Sequence, residues 1–230
     1  EKYNASNIAL EQILNFIKSG EIAIPEIQRP FVWKPKQVRD LIDSLYTGYP
    51  TGYLIISQSP NMKLKNGSLS EGKKIMIDGQ QRVTALMTAI MGLEVINANF
   101  EKKRIKIAFN PLANPENDEE LFKVQDNEIL RDRRWIADIA EEFTPTFDLW
   151  QFVNDYCTAN SEINGSELNK ILMRLMDIKN RQIGVITLDI ELTTDEVTEI
   201  FIRINSQGAK LNQADFAMSK IAAITNYGGN

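Results

Sequence analysis

Residues 76–90, MIDGQQRVTALMTAI, decide the fold of this chain. Their apolar start is typical of a short strand, which ends at the polar cluster Asp78-Gly79-Gln80-Gln81-Arg82. The apolar residues between positions 83 and 90 then recur with the spacing i, i+3, i+4 and i+7, which predicts an amphipathic helix. The polar cluster therefore lies where a strand turns into a helix.

A strand-to-helix junction of this kind is suited to binding anions. Backbone N–H groups at a helix start are free to donate, and the helix dipole places partial positive charge there. Arg82 adds a permanently charged planar guanidinium in the first turn, and Asp78 is able to hold a divalent cation or orient a water. Thr88, farther along, is expected to be exposed and to have no part in binding. A simpler interpretation also stays open, in which Asp78 caps the helix and Gly79 only turns the chain.

The composition favours a globular protein, because 43% of the 230 residues are hydrophobic. The 26 basic and 31 acidic residues give a net charge of −5, so no overall positive field attracts nucleic acid. Any contact with DNA must be local or come from another chain or domain. The absence of a signal peptide and of a membrane-spanning apolar run predicts a soluble cytoplasmic protein without a membrane partner.

Histidine is absent and cysteine occurs once, at Cys157. The lack of an imidazole excludes histidine-based hydrolase triads, histidine-containing zinc sites and histidine-dependent nucleases. A single cysteine cannot form an internal disulfide, and its apolar helical surroundings predict a buried, inert thiol. The chain starts at Glu1 without a methionine and stops soon after a helix-like segment. It is therefore expected to be a piece of a longer protein.

The apolar periodicity predicts an α+β fold, with a small mixed sheet, flanking helices and a helical insertion. Residues 1–110 would form the core that carries the Asp78 cluster, 111–180 the insertion, and 181–230 a strand and helices that complete the core. The insertion begins in an acidic, polar stretch. Predicted helices cover residues 8–17, with Ser6 or Asn7 as the cap, 35–46, 83–90, 145–158 after Thr144, 166–178 from Ser166, 194–204 after a Thr193–Glu196 capping box, and 213–225. Predicted strands cover residues 21–25, 53–56, 74–77, 104–109 and 183–190.

Two other polar clusters contain arginine beside amide side chains. Gln28 and Arg29 stand in an extended run flanked by prolines, whose fixed φ angles hold neighbouring side chains in predictable directions. Residues 201–208, FIRINSQG, place Arg203 near the end of a predicted helix. Alone, each cluster has an ordinary structural explanation. Arg29 suits a surface salt bridge, and Arg203 suits hydrogen bonds to the last helix carbonyls.

Taken in order, three blocks resemble the signature blocks of the N-terminal domain of GmrSD-type, modification-dependent restriction proteins. They span residues 24 to 211, nearly the whole chain. That family is similar to the ParB and sulfiredoxin superfamily, in which the strand, turn and helix around the second block form a pocket for nucleotide phosphates. The blocks are Ile24-Pro25-x-x-Gln28-Arg29-x-x-Val32-Trp33, Asp78-Gly79-Gln80-Gln81-Arg82-x-Thr84 and Phe201-x-Arg203-Ile204-Asn205-x-x-Gly208-x-x-Leu211.

The resemblance implies a module that binds and hydrolyses nucleoside triphosphates and that is coupled to a nuclease. It assigns catalysis to Asp78, Gln81 and Arg82, with Asp78 also holding Mg²⁺. Arginines around one Mg²⁺ ion suit phosphoryl transfer, which depends above all on positioning and positive charge. No Walker-type Gly-Lys-Ser/Thr loop is present, so a P-loop enzyme is not expected. The nucleotide would be bound by residues of all three blocks: Gln28, Arg29, Gly79, Gln80, Thr84, Arg203, Asn205 and Gly208.

The resemblance also implies partners in anti-phage restriction. These are modified DNA, contacted through the full-length protein, and an HNH nuclease domain that lies C-terminal to this chain or on another protein; a homo-oligomer is a further expectation. Two alternatives stay open. One is a ParB-like DNA-binding or clamp module without NTPase activity, and the other is a purely structural interaction domain. Trp33, Trp135 and Trp150 are expected in the core.

Overall fold

The computed structural model describes residues 3–24, 30–58, 74–189 and 192–205. Contacts divide the chain into two compact units, one of residues 1–29, 51–80 and 182–230 and the other of residues 30–50 and 81–181. The division falls between Gln80 and Gln81, inside the Asp78 cluster. The expected organisation into three consecutive segments stays a prediction.

Within these described ranges the chain forms nine strands and seven α-helices, which confirms the predicted α+β fold. None of these helices is long and apolar enough to cross a membrane. The strands are β1 (Tyr3–Ala9), β2 (Ile22–Ala23), β3 (Leu54–Gln58), β4 (Lys74–Asp78), β5 (Val95–Ile96), β6 (Lys102–Lys103), β7 (Ile107–Phe109), β8 (Phe122–Val124) and β9 (Gln182–Leu188). The helices are α1 (Leu10–Ser19), α2 (Pro35–Thr47), α3 (Gln80–Ala89), α4 (Asn127–Arg131), α5 (Leu149–Ala159), α6 (Gly165–Met176) and α7 (Thr194–Asn205).

The first unit contains a five-stranded mixed sheet in the order β1-β9-β3-β4-β2. β9 is antiparallel to β1 and parallel to β3, while β4 is antiparallel to β3 and parallel to β2. Ile55 of β3 and Ile186 of β9 share one buried cluster with Ile200 and Phe201 of α7. Removal of these apolar side chains from water is the main force that holds α7 on the sheet.

The first strand corrects the predicted start of helix α1. The expected caps, Ser6 and Asn7, lie inside β1, which pairs with β9 over its whole length, and α1 begins only at Leu10. Most of β1 is exposed, so its side chains show no alternation of apolar and polar residues that would reveal a strand. The helix ends at Ser19 and is capped by Gly20, which adopts a φ of +83°.

Three aromatic rings form the centre of the second unit. Tyr46 of α2 lies 5.6 Å from Phe109 of β7 and 5.4 Å from Phe122 of β8, measured between ring centroids. The two phenylalanine rings are 5.0 Å apart, and both are fully buried. Each such pair adds about 0.5–1.5 kcal/mol beyond the area that it buries. Because β8 is part of this core, the acidic stretch that precedes it is joined to a packed hairpin.

Two of the predicted helices, 145–158 and 166–178, are present as α5 and α6 with different starts. Asp148 caps α5 by accepting a hydrogen bond from the N–H of Gln151, and Asn164 caps α6 in the same way from Glu167. Both are preferred N-cap residues. The expected starts at Thr144-Pro145 and Ser166 were therefore wrong by a few residues.

The tryptophans and the cysteine are less buried than expected. Trp150 of α5 is 74% exposed, which contradicts its predicted place in the core. Trp33 and Trp135 are half-buried, as is Cys157. Helix α5 thus leaves some of the apolar side chains around residue 150 exposed.

Candidate functional site

A β-bulge lies at the end of β4, next to the polar cluster. Asp78 faces Ile55 of β3, but Met76 faces Ile56, so β4 carries one extra residue, Ile77, between them. Bulges bend a strand and redirect the side chains that follow. Asp78, which is half-buried, is thus the last residue of β4 and directly follows the bulge.

Gly79 makes the turn from β4 into α3. It is buried and has a φ of +99°, a backbone conformation that side chains with a Cβ atom rarely adopt. Helix α3 begins at the next residue. The sequence reasoning placed this turn correctly, and the positive φ explains why glycine stands there.

The Gln80 side chain is bonded to the strand that it follows. Its Nε2 donates to the carbonyl oxygens of Met76 at 3.2 Å and Ile77 at 2.9 Å. These are the carbonyls beside the bulge, where the regular ladder is interrupted. Gln80 thus stabilises the irregular strand end from which Asp78 projects.

Gln81 uses both ends of its amide on another backbone segment. Its Nε2 donates to the carbonyl of Pro30 at 3.2 Å, and its Oε1 accepts from the N–H of Val32 at 3.0 Å. Gln28 and Arg29, which directly precede this segment, lie outside the described residues. Gln81 therefore anchors the second half of the first sequence block.

Arg82 and Thr84 follow in the first turns of α3, and both are half-buried. Their neighbours Val83 and Ala85 are buried, so the helix start is fixed by packing on both sides. Thr88 is fully buried and accepts a hydrogen bond from the N–H of Ile105 at 3.0 Å, which contradicts its expected exposure. Thr88 is a structural residue and unsuitable as a neutral control.

The third block begins on α7. The predicted capping box is confirmed: Glu196 accepts from the N–H of Thr193 at 3.0 Å, and Thr193 accepts from the N–H of Glu196 at 3.3 Å. The Arg203 side chain is 77% exposed and forms an ion pair with Glu199 at 2.6 Å. Such surface pairs contribute about 0–1 kcal/mol. The Asn205 side chain and Gly208 lie outside the described residues.

A Mg²⁺ ion suits the donor set only if the nucleotide supplies further ligands. Among the described residues, no three acidic or cysteine side chains come together as a ready-made metal site. Mg²⁺ commonly takes one or two protein carboxylates and completes its octahedron with phosphate oxygens and waters. Asp78 fits that pattern as a single carboxylate.

The contacts of the two glutamines are what the sequence reasoning missed. It treated both amides as groups for the nucleotide, whereas the described contacts of their side chains are with backbone groups. No local signal could have revealed the Gln81 contact, because its partners are about fifty residues away in the sequence. The charged groups of the cluster are then Asp78 and Arg82.

Comparison of the sequence with known proteins shows which family it matches. Residues 10–222 match the family model described as GmrSD restriction endonuclease, N-terminal domain. The chain is also 24% identical to "Uncharacterized protein MJ0686" of Methanocaldococcus jannaschii, over 91% of this chain and 41% of that protein. The chain thus spans about two fifths of the length of this relative.

Proposed function

Since this chain belongs to the family of GmrSD restriction endonuclease N-terminal domains, we propose that it is the nucleotide-binding module of a modification-dependent DNA restriction protein. It binds a nucleoside triphosphate with Mg²⁺ and hydrolyses it. The nuclease lies outside these residues, on a C-terminal HNH domain or a partner, because this chain has no histidine. Modified DNA is sensed by the full-length protein.

The observation that carries the proposal is the construction of the β4–α3 junction. A bulged strand end, a glycine at positive φ and a helix start follow each other within a few residues, and Arg82 lies in the first helical turn. Free helix N–H groups and a guanidinium together favour bound phosphate. Asp78 is the last residue of β4, and a single carboxylate is suited to Mg²⁺ or an attacking water.

The proposed roles within the cluster differ from those that the resemblance implies. Asp78 and Arg82 carry the chemistry, while Gln80 and Gln81 are positioning residues, because their amides already bond backbone groups. The other proposed nucleotide contacts follow from the resemblance alone. They are Gln28, Arg29, Gly79, Thr84, Arg203, Asn205 and Gly208.

Calorimetric titration of Mg²⁺-triphosphates tests the proposal. We expect Arg82→Ala to weaken binding by about 1.5–3 kcal/mol, the range for charge-assisted hydrogen bonds, and Arg82→Lys to restore only part of it, since an ammonium lacks the bidentate geometry. Arg133→Ala is the matched control, because Arg133 is an exposed arginine outside the cluster.

Thermal unfolding gives a second measurement on the same proteins. A ligand at about 100 times its dissociation constant stabilises the native state by about 2.7 kcal/mol. A melting temperature that stays unchanged with all four triphosphates at saturating concentration would contradict the nucleotide site. Unfolding of Arg82→Ala without a separable loss of affinity would assign Arg82 a structural role.

A further inference from the structure

An exposed phenylalanine stands at the tip of the β5–β6 hairpin in the second unit. Phe100 is 82% exposed, the most exposed of the large hydrophobic side chains described, and its φ is +59°. A bulky residue in the left-handed region is an outlier that costs about 1–2 kcal/mol. A strained backbone that presents a ring to solvent is a reason to look for a binding role.

The tip is held in this conformation by Asn97. Its Oδ1 accepts from the N–H groups of Asn99 at 2.9 Å and Glu101 at 3.0 Å, and its Nδ2 donates to the Glu101 carboxylate at 3.0 Å. The N–H of Phe100 donates to the Asn97 carbonyl at 3.0 Å. These bonds fix the turn before any partner arrives, so binding need not order it.

The hairpin is also braced from its side. The N–H of Phe31 donates to the carbonyl of Ile96 at 2.9 Å, and Phe31 forms a parallel bridge with Asn97. Phe31 is buried, and the residues on either side of it are those that Gln81 holds. A continuous set of hydrogen bonds therefore links the tip to helix α3 within one unit.

The charge of the hairpin is opposite to that of the chain. Within the hairpin, residues 95–103, the exposed charged side chains are Lys102 and Lys103 against Glu101, whose carboxylate accepts from Asn97; exposed Glu94 and Lys106 flank it on either side. The whole chain carries −5. Lys102 and Lys103 are consecutive in β6, so they extend from opposite faces of the ribbon. A local basic feature of this kind is one of the ways in which an acidic chain is able to contact DNA.

We propose that the β5–β6 tip is a DNA contact, in which the Phe100 ring stacks on or inserts between bases while Lys102 and Lys103 bind backbone phosphates. A two-stranded ribbon fits a DNA groove, and apolar side chains that enter a base step are a known means of DNA binding. A protein partner is less well matched, because lysine is depleted in the cores of protein interfaces. The inference rests on the proposed role in DNA restriction and adds the surface that meets DNA.

Fluorescence anisotropy with a short fluorescein-labelled duplex, and with one of its strands alone, tests the contact on this chain. Stacking of one base on an aromatic ring contributes a factor of about 5 to 150 in affinity. We expect Phe100→Gly to lose that factor and Phe100→Trp to retain binding. Trp150→Ala, which removes an equally exposed aromatic from the same unit, is the matched control.

The lysines are tested by the salt dependence of the same titration. Each phosphate contact that is lost lowers the slope of log K against log salt by about 0.9, so Lys102→Gln with Lys103→Gln should lower it by about 2. Lys170→Gln, an exposed lysine of α6, should leave affinity nearly unchanged. Melting temperatures of all variants show whether any loss comes from unfolding.

Three results would overturn the inference: no salt-sensitive binding to either probe, equal affinities for Phe100→Gly and Trp150→Ala, or an unchanged slope in the lysine variant. Unaltered DNA binding by Phe100→Gly would show that the ring does not contact DNA. Titration of Mg²⁺-triphosphate into the same variants separates this inference from the proposed function. Nucleotide binding without DNA binding leaves the nucleotide module standing and removes only the tip contact.

Discussion

Two turns with positive φ, at Gly79 and at Phe100, make opposite use of the same backbone conformation. Gly79 is buried, has no Cβ atom and adopts its φ of +99° with little strain. Phe100 is exposed and adopts +59° with the strain of a bulky side chain. The glycine at position 79 is there because the backbone requires a positive φ. The phenylalanine, which the backbone does not favour, indicates that the side chain itself has a role.

The polar side chains around the two turns are alike in one respect. At the first turn, the side-chain amides of Gln80 and Gln81 hydrogen-bond to backbone groups. The amide of Asn97 does so mainly at the second turn. Uncharged amides next to an irregular turn are thus structural in both places. The groups proposed to meet ligands are the charged or aromatic ones: Asp78 and Arg82 at the first turn, Phe100 and its lysines at the second.

Away from the two turns, a buried carboxyl gives the largest expected effect on stability. Glu142 is 1% exposed, and burial together with the charge of Glu141 raises its pKa from 4.5 to about 8. The folded chain therefore keeps a proton that the unfolded chain loses near pH 4.5. Its stabilising contribution is complete below that pH and is lost as the pH rises toward about 8.

We expect the free energy of unfolding to fall with rising pH in that window by up to about 1.4 kcal/mol per pH unit. Urea titrations at several pH values measure it. Glu142→Gln should remove most of the slope, since a neutral amide has no proton to lose, whereas Glu141→Gln, at an exposed neighbour, should remove little. A slope that persists in Glu142→Gln would mean that other groups dominate.

The turn at Gly79 should be sensitive to any added side chain. We expect Gly79→Ala to destabilise the protein by about 1–3 kcal/mol, the cost of a residue held in a sparsely populated backbone conformation, and to weaken triphosphate binding. Asparagine tolerates positive φ better than alanine, so Gly79→Asn should lose less. Urea unfolding ranks the two variants. Equal stability of Gly79→Ala and wild type would break the comparison, because the turn would not need glycine.

The Gln81 amide makes two bonds to one backbone segment, one of them partly buried, and is therefore expected to be a firmer support than an amide with one exposed bond. Gln81→Leu leaves the Val32 N–H and the Pro30 carbonyl without their partner, which should cost about 1–2 kcal/mol and speed hydrogen exchange at Val32. Gln37→Leu removes an exposed bond to the Lys34 N–H and is the matched control. Equal losses in the two variants would show that Gln81 does not hold the segment.

Local patterns predicted one turn well and the other not at all. The strand, glycine and helix around Asp78 follow from side-chain periodicity over a few residues, so the junction was placed correctly. The bulge and the Gln81 contact depend on pairing with β3 and with residues 30–32, and no local pattern encodes such distant partners. Strand β1 was missed for a similar reason, because it is exposed and is defined only by its pairing with β9.

The left-handed residue at the hairpin tip had a misleading local signal. Residues 97–100, NANF, contain two asparagines, which tolerate positive φ, yet the phenylalanine adopts it. The side chain of Asn97 is instead the acceptor that closes the turn. The acidic composition restricted any DNA contact by this chain to a local basic patch, but no pattern in the sequence pointed to these lysines.

Replacement of Phe100 by glycine should have the smallest effect on stability and the opposite sign to Gly79→Ala. Relief of left-handed strain gains about 1–2 kcal/mol, while the extra freedom of glycine in the unfolded chain costs about 0.5–1 kcal/mol. Little burial is lost, because the ring is 82% exposed. The net expectation is a gain of about 0–1.5 kcal/mol in urea unfolding. Phe100→Ala keeps the strain and should be no more stable than wild type. A less stable Phe100→Gly would mean that the ring packs on the hairpin, and the contrast with Gly79 would then reflect folding rather than binding.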